Sequence, residues 1–171
     1  MKVLPADKTC INSGFLCNNC QARLDAGEIS EFEIDLAKDF INLEENNEEF
    51  VFLKDISFFK AIDFEDVVIL VIGKKDKIKF NPNLITWIKK AYEIDDLILI
   101  EKSNKLRPVI EGLIAPKKLL SLNEIFLATG DIQFKAVLSE DDKEYILFTE
   151  DELKELILEL TGSICMIEFQ L

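Results

Sequence analysis

The sequence predicts an α+β protein: two tandem α-β-β-α-β units behind a short cysteine-rich segment. Three observations carry this prediction. Stretches with apolar residues at helical spacing alternate with period-two or β-branched stretches, and their order repeats once along the chain. A capping box opens a helix in each half. Three of the 4 cysteines fall among the first 20 residues. The 171 residues are 49% apolar and 31% charged, a globular balance with room for two small cores. The expected boundaries are 1–27 for the cysteine segment, 28–103 for the first unit and 104–171 for the second.

The cysteine segment comes first. Cys10, Cys17 and Cys20 stand in Asp7-Lys-Thr-Cys10 and Gly14-Phe-Leu-Cys17-Asn-Asn-Cys20. A C-x2-C turn points two thiolates inward and offers its backbone amides to the sulfurs. That spacing reads as a structural zinc knuckle, and tetrahedral zinc requires four ligands. Asp7, separated from Cys10 by the same two intervening residues, is the expected fourth. Cys165 is the alternative, but Cys165, Ile167, Phe169 and Leu171 alternate onto one face, which predicts a buried thiol. A disulfide of the kind found inside hyperthermophile cells and a set of free thiols remain open for the trio. A thioredoxin-like role is not expected, because no strand-to-helix pattern surrounds the motif.

In the first unit, Ser30-Glu-Phe-Glu33 is the capping box. Ile29, Phe32, Leu36, Phe40 and Leu43, with Ala37 and Ile41, form one helical face that ends near Glu45. Ile56, Phe58, Lys60 and Ile62 alternate with Ser57, Phe59, Ala61 and Asp63, so a strand is expected there. Asp63 to Asp66 turns the chain. Val67 to Ile72 is a continuous apolar run, as in a buried central strand. Asn81-Pro-Asn83 starts a helix bearing Leu84, Trp87, Ile88 and Ala91, and Leu97 to Ile100 is the closing strand. In the second unit, Leu106 to Ile114 is a short helix with Pro108 in its first turn. Leu120 to Ala128 and Ile132 to Leu138 flank the hairpin Thr129-Gly-Asp131. Thr149-Glu-Asp-Glu152 is the second capping box, Leu153, Leu156, Ile157 and Leu160 are the buried stripe, Gly162 stops the helix, and Ile164 to Phe169 closes the unit.

Charge and composition narrow the function. The net charge is −13 and there are no histidines, which removes Ser-His-Asp and Cys-His catalysis and any His-ligated metal. No nucleotide-binding glycine motif occurs. Acidic pairs such as Glu44-Glu45 and Asp95-Asp96 sit at element ends as solvated caps. No enzymatic turnover is expected. The longest apolar run is too short to span a bilayer and Met1 to Lys8 is no leader, so a cytoplasmic protein without membrane contact is expected. The acidity is uneven. Residues 28–55 carry two basic and ten acidic side chains, whereas Lys74, Lys75, Lys77, Lys79, Lys89 and Lys90 are opposed only by Asp76 within their own stretch. Exposed charges are screened over roughly 10 Å, so a local basic patch can meet phosphate even on an acidic protein. The plainer alternative is a solvated loop and helix face.

Several stretches resemble archaeal NusA-like proteins. They are the cysteine motif, Gly27-Glu-Ile-Ser-Glu31, Phe58-Phe-Lys-Ala-Ile62, and Leu106-Arg with Leu113-Ile-Ala-Pro116. The resemblance runs over nearly the whole chain. It implies a cysteine knuckle followed by two KH-type domains of prokaryotic topology, a role in transcription elongation or RNA binding, single-stranded RNA or DNA as ligand, and no catalysis. The chain departs from that family at the KH clamp, a G-x-x-G loop that brings backbone close to phosphates. The matching segment, Lys77-Ile-Lys-Phe-Asn-Pro-Asn83, has no glycine, and the second unit has no G-x-x-G either. Asn81 and Asn83 tolerate positive φ, but Pro82 removes an amide donor. The expected function is weak nucleic-acid binding through the six lysines. The alternative is a protein-interaction module whose acidic helix 30–45 docks on a basic surface of RNA polymerase or the ribosome.

Overall fold

In the computed structural model, which describes residues 1–171, the chain divides into Met1–Lys102 and Ser103–Leu171. Each unit carries its own three-stranded mixed sheet, and the protein is α+β. No helix is long and apolar enough to cross a membrane.

The first unit opens with two short helices, α1 (Lys8–Ser13) and α2 (Asn18–Asp25). Asp7 caps α1 by accepting from the Thr9 amide at 2.8 Å, and Gly14 ends it in the left-handed region at φ 73°. The cysteine segment, expected as a stretch of its own over 1–27, is built into this unit. Ile11 is fully buried, and Cys10 and Cys20 share one core with Leu36 and Phe40. Helices this short are marginal alone and hold their shape by packing.

Helix α3 (Glu31–Asn46) starts at the capping box and buries Leu36, Ala37, Phe40 and Ile41. A 3-10 stretch, Glu48–Asp55, follows and buries Phe50 and Leu53. Strands β1 (Phe58–Phe64) and β2 (Val67–Ile72) pair antiparallel, and β3 (Asp96–Glu101) lies parallel to β2, in the order β1-β2-β3. A parallel pair needs a crossover, and α4 (Pro82–Ala91) supplies it, capped by the Asn81 side chain with Pro82 in its first turn. Val68, Leu70 and Ile72 alternate onto the face that shares a core with α3 and α4. β1 begins two residues later than the alternation suggests, because Ile56 closes the 3-10 stretch and the register shifts between Phe58 and Lys60.

The second unit repeats the order. Helix α5 (Leu106–Ile114) precedes β4 (Ser121–Phe126) and β5 (Ile132–Ser139). Then come a 3-10 stretch, Glu140–Tyr145, helix α6 (Glu150–Thr161) and β6 (Cys165–Gln170). β4 and β5 are antiparallel, β5 and β6 parallel, in the order β4-β5-β6. Thr149 and Glu152 form the second capping box, and Gly162 ends α6 at φ 72°. Val109, Ile110, Leu113, Ala136, Leu153 and Ile157 are buried.

Candidate metal centre and lysine connection

Two local motifs bring the three N-terminal thiols together. Gly14 ends α1 just after Cys10, so the chain reverses and Cys17 caps α2 with its sulfur, which accepts from the Cys20 amide at 3.5 Å. The Cys17 amide in turn donates to the Cys10 sulfur at 3.3 Å. The three sulfurs lie within 4.8 Å of one another. A tetrahedral zinc–thiolate set has sulfurs roughly 3.8 Å apart, given Zn–S bonds of about 2.3 Å. A contraction of about an ångström would close the set on a metal. All four cysteines are free thiols. Amides aimed at sulfur favour thiolate, and the Cys17 thiol is held below its usual range first by the Cys20 amide and then by the neighbouring thiols. At Cys10 the Cys17 amide pulls the same way, but burial and the other two thiols outweigh it and hold that thiol up. The two thiols in contact are therefore unequal, Cys17 being the more acidic of the pair.

The structure does not bring Asp7 into this group. Its carboxylate is engaged as the α1 cap, and only the three sulfurs are gathered. Cys165 stands in the second unit on β6, buried opposite Phe134, where burial raises its thiol. An open cavity of about 540 Å³ adjoins Cys10, with Gln21, Glu31 and Asp35 on its wall.

The six candidate lysines fall on the β2–α4 connection and on α4 itself, and they divide into two groups. Lys79 donates to Asp76 at 2.6 Å and to the Asp55 carbonyl at 2.9 Å. Lys89 donates to the Asp95 carbonyl at 2.6 Å and lies 3.9 Å from Asp96. Those two are structural. Lys74, Lys75, Lys77 and Lys90 are exposed and make no ion pair. Lys75 holds a left-handed φ of 65°, fixed by its amide donating to Glu101 at 2.9 Å.

Asp76 is the organiser of this connection. It is only 5% exposed, and its second oxygen accepts from the Ser57 amide at 2.9 Å. Burial alone would raise its carboxyl, but Lys79 and that amide outweigh it and hold the group below the ordinary carboxylate range. Gly73 makes room: a Cβ there would meet the Asp76 carboxylate at 2.3 Å. Sequence reasoning saw Asp76 only as the acid opposing the lysines. The signal available was a lone acid three residues after a strand-end glycine and three before a lysine.

The matching connection of the second unit, between β5 and α6, has the opposite character. Glu140, Asp141, Asp142 and Glu144 lead into Tyr145, Ile146, Leu147 and Phe148. Tyr145 and Leu147 are 69% and 54% exposed. Sequence reasoning passed over this stretch, although four apolar residues between two acidic clusters were visible.

No known protein family matches the chain, and no curated protein does. Among solved structures it is similar to the crystal structure of APE1850, with a TM-score of 0.51 and 19% sequence identity, over 68% of this chain and 88% of that one. At that identity the likeness concerns the fold.

Proposed function

We propose that this chain is a non-catalytic, NusA-like protein of two KH-like units, stabilised by zinc, that binds single-stranded nucleic acid weakly through the β2–α4 connection. The observation that carries this reading is the set of lysines without internal partners: Lys74, Lys75 and Lys77 ahead of the helix start where a KH clamp would lie, with Lys90 in the last turn of the same helix. The repeated α-β-β-α-β order with one antiparallel and one parallel pair per sheet supports the KH-like assignment. Without G-x-x-G the backbone is kept from the phosphates, and contact is left to long side chains. Micromolar or weaker affinity follows, with a salt slope of about −0.7 per phosphate met. The test is titration of labelled single-stranded RNA at several salt concentrations. Lys74→Glu, Lys77→Glu and Lys90→Glu together abolish binding, whereas Lys79→Gln and Lys89→Gln together leave the salt slope unchanged. Tight binding that survives the triple change refutes the site.

Zinc is the metal that suits the three thiols. Its fourth ligand in this reading is a water or a carboxylate that swings in, Asp7 on release from its cap or an acid from the cavity beside Cys10. Elemental analysis of replete protein gives about one zinc per chain. Cys17→Ser loses it, and Cys165→Ser keeps it. Asp7→Asn, which still caps α1, separates the fourth-ligand role from the capping role. Retention of zinc in that variant removes Asp7 from the set.

A further inference from the structure

We propose that the β5–α6 connection of the second unit is a docking groove for a partner protein's segment in which apolar side chains are flanked by lysine or arginine. The groove is an open cavity of about 460 Å³ floored by Ile146, Leu147, Phe148 and Phe169, with the first turn of α6 on its rim. That volume suits side chains of a docked segment. Leu147 in its floor and Tyr145 next to it are both exposed, in a connection where solvent contact alone would favour polar residues.

The charge around the groove selects the occupant: Lys143, Glu150 and Asp151 line it, and four further acids lie in the 3-10 stretch that leads to it. Six acids, Glu140, Asp141, Asp142, Glu144, Glu150 and Asp151, fall within twelve residues. Three lysines meet some of them. Lys117 pairs with Asp142 at 2.8 Å and lies over the Tyr145 ring. Lys143 lies over Phe169 and pairs with Glu150 at 3.2 Å and Glu140 at 3.8 Å. Lys154 pairs with Asp151 at 2.9 Å. Asp141 and Glu144 are exposed and face no cation. The surplus is negative, so phosphate is repelled. A second copy of this chain, at a net charge of −13, is repelled as well. A basic segment with apolar anchors satisfies both the floor and the rim. The nucleic-acid reading concerns the first unit, and this proposal does not rest on it.

The test is an NMR titration of the full chain with a synthetic peptide of alternating leucine and lysine. One control replaces each leucine by serine, another each lysine by glutamate, and a third titration uses single-stranded RNA. The leucine–lysine peptide is expected to shift amides of residues 143–151 and Phe169. Leu147→Asn weakens it about tenfold, the loss of one apolar anchor. Asp141→Lys with Glu144→Lys weakens it by a similar factor. Lys74→Glu with Lys77→Glu leaves those shifts within about twofold, which keeps this outcome separate from the nucleic-acid one. Equal binding of the serine control, an affinity indifferent to Leu147→Asn, absence of shifts in 143–151, or RNA shifting those amides overturns the proposal.

Discussion

The two units share an order of elements and a strand pairing, yet their β-to-α connections have opposite chemistry. In the first, β2 leads through Gly73, a buried Asp76 and three unpaired lysines into α4. In the second, β5 leads through four acids and an apolar run into α6. The sheet and its crossover helix are the scaffold, and the connection ahead of the helix varies around its buried anchors, Phe80 in the first unit and Phe148 in the second. A shared scaffold therefore says where to look in each half, and the side chains at that place say what is recognised.

The comparison predicts unequal responses to perturbation, the largest at the proposed zinc site. Chelation should remove on the order of several kcal/mol from the first unit, since α1 and α2 hold their shape by packing around the thiols. Amide exchange should rise in residues 8–25 and α3, while β4, β5 and β6 keep their protection. Equal loss in both units would break the contrast.

The two capping boxes come next. Glu33 is 2% exposed and does double duty, accepting from the Ser30 amide at 2.9 Å and from the Ala61 amide of β1 at 2.8 Å. Glu33→Ala leaves buried donors without an acceptor and should cost about 3 kcal/mol. Glu152 serves only the Thr149 amide, at 2.7 Å on an exposed end, and Glu152→Ala should cost about 1 kcal/mol. Chemical denaturation of the two variants measures the difference.

A comparably small effect is expected at Asp76. Asp76→Asn keeps an acceptor but loses the charge that holds Lys79, so about 1 kcal/mol is expected at neutral pH. The folded carboxyl is depressed, so its contribution is present above the unfolded value, near 3.8, and is lost as pH falls through the lower folded value. The gap between wild type and variant should therefore close on acidification below that point. A gap that widens there would contradict the assignment.

Much of this fold was legible in the sequence. Both capping boxes, the left-handed stop at Gly162, the Asn81-Pro82 helix start and the continuous run of β2 depend on chemistry within a few residues of one another. Those signals survive without knowledge of the rest of the chain. The 3-10 stretches at Glu48–Asp55 and Glu140–Tyr145 were not legible, because they lack a sustained period and are shaped by what they pack against. At the metal centre the cysteine spacing was informative, and the three thiols do converge. The role of Asp7 was not readable, since a helix cap and a ligand place the same residue type at the same spacing. Among the lysines, sequence could not separate Lys79 and Lys89 from the rest, because their partners, the carbonyls of Asp55 and Asp95, come from backbone whose course the lysine pattern does not encode.

Glu33 has one more consequence, and it concerns crowding in the cell. β1 lies at the border of its sheet, where unpaired backbone amides invite a strand from another molecule. Two of those amides are already spoken for: Ala61 donates to Glu33, and Phe58 donates to the carbonyl of Val3 at 3.0 Å. The same carboxylate that starts α3 also guards this border against fibre-like stacking. Loss of Glu33 would therefore show in the test tube twice, as a lower unfolding midpoint and as turbidity at protein concentrations where the native chain stays clear.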